Sequence, residues 1–166
     1  GNVENYSNSN LKIVFVSAPT MGMVACSVTV SKLIQHFKPR YIFMSGIAAS
    51  IKMSTEHGFG DILVVDESWD GGAGKIDKDL NGNYLFKPNA NHLRLNTDLS
   101  TLIRQLKLKK DLIRSIKDSF QGNKPNTELQ IHIGSVVSVA GVIANENEIK
   151  HLTIKARKLL GFEMEA

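Results

Sequence analysis

Glu163 and Glu165, near the end of the chain in GFEMEA, are the residues whose type and spacing most favour chemistry. Side chains two apart on an extended segment point the same way, and an inward carboxylate is costly unless something satisfies it. An ionised carboxylate offers two acceptor oxygens, so one of the pair could take hydrogen bonds from a sugar diol. A capping or salt-bridged glutamate is the alternative, and periodicity alone leaves both open.

Other chemistry-bearing groups point to less. Gly72-Ala73-Gly74-Lys75 is only a fragment of a phosphate loop, because the full GxxxxGK[ST] spacing is missing and Ile76 stands where a hydroxyl residue would hold magnesium. Lys75 could still meet a phosphate as a point charge. His36, His57, His92, His132 and His151 show no metal-ligand spacing and read as packed or surface histidines. Asp66, Asp70, Asp77 and Asp79 lack the order of a calcium loop. No metal site and no cofactor are expected. Cys26 is the single cysteine, which excludes an internal disulfide and fits a reducing, cytoplasmic setting.

These groups need a scaffold, and the apolar patterning describes one. Residues 12–17 (KIVFVS) form a β-rich run, a breaker follows at 19–22, and Val24, Val28, Leu33, Ile34 and Phe37 recur at helical spacing until Pro39. Residues 41–44 (YIFM) and 62–65 (ILVV) read as further strands, the latter entered through Gly58-Phe59-Gly60-Asp61. Strand, helix and strand in succession argue for a parallel sheet, because parallel neighbours need a crossover.

Residues 67–98, rich in Asp, Gly and Asn, read as an irregular excursion. One amphipathic helix is expected over 99–120, with Leu102, Leu106, Ile113 and Ile116 inward. A strand follows at 129–133, then a helix over 148–160, and a short strand or turn over 161–165. Residues 1–10 read as a linker or boundary segment. A strand-like end without a covering helix suggests that the natural polypeptide continues, since parallel sheets are normally covered on both faces.

The blocks MGMVA (21–25), HFKPRYIFMSGIAAS (36–50), GFGDILVVD (58–66), IHIGSVVSVAGVI (131–143) and GFEMEA (161–166) follow one another in a familiar order and spacing. In these blocks the chain resembles the purine nucleoside phosphorylase superfamily that includes methylthioadenosine/adenosylhomocysteine nucleosidase. It is most similar to the branch that serves as an effector unit in larger bacterial signalling or defence proteins, sharing SWDGGAGK at 68–75. The resemblance implies a three-layer α/β fold around a central mixed, largely parallel sheet, with residues 11–166 forming part of such a domain.

It also implies roles. Glu165 matches the glutamate that binds the ribose hydroxyls, and Met164 the methionine packed against the sugar. Val142 and Ile143 fall where the family stacks on the purine and reads its edge through backbone groups. Ile47, Ala48 and Ala49 fall in the loop beneath ribose, although many members carry a small or hydroxyl residue at the place of Ile47. Phosphorylases of the hexameric class have an arginine where this chain has Met44, which favours hydrolysis over phosphorolysis. The aspartate that protonates the departing purine would fall beyond Ala166. The glutamate that activates water would fall before Gly1 or is not recognisable in the first ten residues. This chain alone is therefore expected to be inactive, and its full parent to hydrolyse the N-glycosidic bond of a purine nucleoside or nucleotide. Phosphorolysis, or a nucleoside-sensing module without chemistry, is the alternative.

Composition narrows the partners. The 20 Lys and Arg against 16 Asp and Glu give a formal charge of +4, which suits an anionic ligand without indicating specific nucleic-acid binding. No apolar run reaches the roughly 20 residues that cross a bilayer, so no membrane partner is expected. A homo-oligomer stays open, because family members commonly assemble with pockets near an interface.

Overall fold

Pro39 stops the first helix where the sequence reading ends it: α1 spans Met23–Phe37, and Lys38 closes it in the left-handed region (φ 46°, ψ 54°) with its N–H donating to the Ile34 carbonyl. The residue before a proline is pushed out of the right-handed helical region by the ring, so the helix cannot pass this point unstrained. The computed structural model describes residues 12–52, 56–79, 81–89, 91–140 and 159–164.

The centre of the molecule is a five-stranded sheet. In chain order its strands are β1 (Ala49–Ser50), β2 (Ile62–Asp70), β5 (Leu93–Arg94), β6 (Ile131–Ser138) and β7 (Leu159–Glu163). Between β2 and β5 the chain forms a separate hairpin, β3 (Gly74–Lys78) and β4 (Tyr84–Pro88). Across the sheet the order is β1-β7-β6-β2-β5. The inner three strands are parallel, and each outer strand is a two-residue antiparallel edge. Trp69, Val137, Leu159 and Phe162 on these inner strands, with Val139 just past β6, form the core, and Ile51 and Met164 pack against it.

Two of the expected strands do not enter this sheet. Residues 12–17 and 41–44 are extended but unpaired in any ladder, and Phe15 and Phe43 are largely exposed. Both lie alongside α1: Val16 and Ser17 share a groove with Thr29, Leu33 and Phe37, and Cys26 Sγ is 3.8 Å from Met44 Sδ. The edge of β7 that a further parallel strand would use is taken by Ala49 and Ser50, which pair with Phe162 and Gly161.

Other boundaries move. β2 continues to Asp70, so residues 67–70 stay in the sheet, and residues 93–94 return to it as an edge. The helix expected over 99–120 is two, α2 (Thr97–Leu108) and α3 (Lys110–Ser119), with Lys109 at ψ 76° between them. The turn tightens there, Lys109 N–H donating to Leu106 O three residues back, and Lys107, Lys109 and Lys110 crowd like charge at the joint. Of the four positions expected inward, Ile113 is buried, whereas Leu102 and Ile116 are exposed. Leu159 and Leu160, expected to end a helix, are strand residues because they complete the core beside β6. Residues 148–158 of that helix lie outside the described residues.

Candidate functional site

Because β2, β6 and β7 are parallel, their carboxyl ends open on one edge of the sheet, the edge at which α/β folds commonly bind ligands. The register lines up a row of polar side chains there: Asp70 faces Ser138, and Ser138 faces Glu163. Backbone bonds tie the strand ends together. Gly71 N–H donates to Ser138 O at 2.8 Å, and Val139 N–H to Glu163 O at 2.9 Å. Only glycine fits at position 71, where a Cβ would lie 2.8 Å from Val137 Cγ2.

The row is not uniformly open. Ser138 Oγ donates to the Glu163 carboxyl group, and both residues are buried. Asp70 is exposed and accepts from Gly72 N–H at 2.8 Å. Beneath the row, Trp69 stacks on His92 at 4.8 Å between centroids, and His92 Nδ1 lies 3.3 Å from Glu67. Burial opposes ionisation of Glu67, but hydrogen bonds from Arg94 and Ser135 outweigh it and hold its carboxyl below the ordinary range.

Of the residues expected to bind a ligand, the structure brings some to this edge. Ala49 pairs with Phe162, and the antiparallel register carries the chain back from it toward the end of β7. Ile47 and Ala48 precede it, exposed. Met164, half-buried, packs on the core cluster directly after β7. Glu165, Val142 and Ile143 lie outside the described residues; they follow Met164 and Ala140 in the sequence. Lys75 is not gathered with them. It sits on the hairpin, exposed, 3.4 Å from Asp77, which Lys87 also meets at 2.7 Å.

Sequence reasoning missed Ser138 and Asp70 as edge residues. A usable signal existed, since each ends a long strand-forming run just before small residues: Asp70 before Gly71-Gly72, and Ser138 before Val139-Ala140-Gly141. Among the described residues, no three His, Cys, Asp or Glu side chains converge as a metal site. No helix among them is long and apolar enough to cross a membrane.

The model of the phosphorylase superfamily matches residues 4–166. The chain belongs to that superfamily. An uncharacterized protein, y4jS, of Sinorhizobium fredii is 27% identical over 161 residues, covering 97% of this chain and 38% of that protein. Among solved structures, a putative methylthioadenosine nucleosidase from Weissella paramesenteroides superposes with a TM-score of 0.58 at 22% identity, over 89% of this chain and 57% of that one. The S-adenosylhomocysteine nucleosidase from Streptococcus pyogenes, in complex with 5-methylthiotubericidin, gives a TM-score of 0.57 at 20% identity, over 87% and 53% of the two chains. These likenesses show the superfamily's α/β fold, with its mixed central sheet. The chain thus spans little more than half the length of these solved relatives.

Proposed function

We propose that this chain carries the ribose- and base-binding part of a purine N-glycosyl hydrolase, whose activity belongs to a longer polypeptide. The observation that carries the reading is the carboxyl edge itself. In a fold shared with nucleosidases, Ala49 pairs with Phe162 of β7, Met164 packs on the core directly after that strand, and the GFEMEA segment leads from it into Glu165.

In this reading Glu165 accepts hydrogen bonds from the ribose hydroxyls, Met164 packs against the sugar, and Ile47, Ala48 and Ala49 lie beneath it. Val142 and Ile143 flank the base. Cleavage of the glycosidic bond builds positive charge on the ribose, and an anionic carboxylate near it favours that charge. Glu165 supplies binding and this electrostatic effect. Protonation of the departing base falls to an aspartate elsewhere in the longer polypeptide.

A nucleotide suits the net positive charge better than a neutral nucleoside does. The SWDGGAGK segment supports a place in the effector-type branch of larger bacterial proteins, and the small share of the Sinorhizobium protein that this chain covers is in keeping with it. The absence of an arginine at Met44 favours water over phosphate as the attacking group. The single cysteine suits the cytoplasm.

Chromatography of reactions with adenosine, its methylthio analogue and ATP, with and without phosphate, tests this. Free base released by the longer polypeptide without phosphate is the expected result, with none from residues 1–166 alone after their folding has been verified. Ribose 1-phosphate formed only with phosphate would replace hydrolysis by phosphorolysis. Binding of nucleoside without any turnover would leave a sensing module.

A further inference from the structure

The amino edge of the sheet holds a second group of polar side chains that glycosidic chemistry does not use. Asp61, at the entry to β2, accepts from Gly58 N–H at 2.9 Å and Gln130 N–H at 3.0 Å, and its Oδ2 lies 2.8 Å from His132 Nε2. The His132 ring lies against His57, with centroids 4.0 Å apart and planes inclined by 41°. His57 is buried, and its Nδ1 is 2.5 Å from the Oγ of Ser50, the last residue of β1. Ser50 Oγ also accepts from Lys52 N–H at 3.0 Å. A run of contacts therefore links Asp61, through two imidazoles, to β1.

β1 itself is short. Its ladder to β7 consists of Ala49 facing Phe162 and Ser50 facing Gly161, extended by Ile51 N–H donating to Leu160 O at 3.0 Å. The His57 contact fastens the far end of this strand, and Ala49 at its near end stands at the carboxyl edge.

We propose that His57 is a pH-sensitive latch: neutral, it packs buried against His132 and meets Ser50, holding β1 to the amino edge of the sheet; protonated, it is a buried cation beside a second imidazole, and β1 opens to hydrate it, loosening the Ala49 end of the ligand loop. The groups facing His57 are Lys52 and Glu56 from its own turn, Asp61 from the start of β2 and His132 from β6. Lys124 and Glu128 line the cleft of about 590 Å³ that His57 shares. Asp61 and Glu56 favour a charged ring, yet Glu56 is paired with Lys52 at 2.7 Å and Asp61 already accepts from three donors. Burial first, then His132 and Lys52, push the imidazole below its ordinary 6.5. The unfolded chain thus takes up the proton before the folded one. The latch is fully present above the ordinary value and is lost as pH falls through the lowered one.

The effect on ligand binding rests on the function proposed above; the latch itself does not, so its test is read at the backbone. Amide hydrogen exchange of the intact protein, corrected for intrinsic rates, is compared at about pH 7.5 and about pH 5.5, on either side of an ordinary histidine pKa. Protection of the Ile51 amide is expected to fall severalfold, up to about tenfold, on acidification, as a locally opened strand would. In His57→Asn, whose side-chain oxygen can accept from Ser50 without titrating in this range, it should not respond. Unchanged protection in the wild type, or an equal fall in the variant, would overturn the latch. Should the variant fail to fold, an imidazole NMR titration read beside the exchange of the wild type decides: a His57 midpoint below 6.5 together with Ile51 protection lost as pH falls beneath 6.5 supports the proposal, and a midpoint at or above 6.5, or protection that does not move, removes it.

Discussion

Ser138 donates its hydroxyl proton to the carboxyl group of Glu163 from the facing position on the neighbouring parallel strand. The bond joins β6 to β7 at their carboxyl ends, where Val139 N–H also donates to the Glu163 carbonyl. Of the two glutamates that sequence spacing offers for a sugar diol, Glu163 is thereby engaged by the protein, and Glu165 is the one proposed to meet ligand.

Ser138→Ala should lower the stability of the fold by about 1 to 3 kcal/mol, the cost of removing one partner from a buried polar group. Glu163→Gln, which keeps an acceptor oxygen for Ser138, should cost less. Denaturant unfolding measures both. A loss below about 0.5 kcal/mol for Ser138→Ala, the level of an ordinary surface change, would mean that the bond does not hold the strand ends together.

Gly161→Ala should open the β1 edge. A Cβ at this position would overlap the carbonyl oxygen of Ala49 and lie 3.3 Å from Ser50 Cα, both of them backbone atoms that a rotamer change cannot move aside. Overpacking of this kind costs about 1 to 3 kcal/mol. Hydrogen exchange should show protection lost at Ile51 and kept in β2 and β6. Uniform loss across the sheet would argue that β1 is not a separate edge.

Glu165→Gln should weaken ribonucleoside binding by about 1.5 to 3 kcal/mol, the range for hydrogen bonds to a charged group. Calorimetry with a ribonucleoside and its 2',3'-dideoxy analogue is the check. Equal affinity for the two ligands would remove the basis for the role of Glu165.

Stability should also fall in acid through Asp61. Burial opposes its ionisation, but hydrogen bonds from Gly58, His132 and Gln130 together outweigh that and hold its carboxyl below the ordinary 3.8. The folded state therefore releases this proton more readily than the unfolded chain. The stabilisation is complete above 3.8 and disappears as pH falls through the lowered value. Urea midpoints measured against pH should drop in that window for the wild type and less steeply for Asp61→Asn. Parallel curves would assign the acid loss to other groups.

Local features were legible in the sequence wherever neighbouring residues decide them. Pro39 set the end of α1 because its ring acts on the residue before it. The run ILVV at 62–65 announced β2, since a continuous apolar stretch suits a strand covered on both faces, and the alternating LQIHI at 129–133 announced β6. The short strand or turn expected over 161–165 overlaps the end of β7, and the ordered blocks identified the superfamily. Tertiary structure decided what depends on distant partners. Residues 12–17 and 41–44 carry strand patterning but enter no ladder and lie alongside α1 instead. Ser138 finds Glu163 across 25 residues, and His132 finds Asp61 across 71. Spacing along the chain carries no signal for such pairs, since strand register and sheet order alone bring them within hydrogen-bond reach.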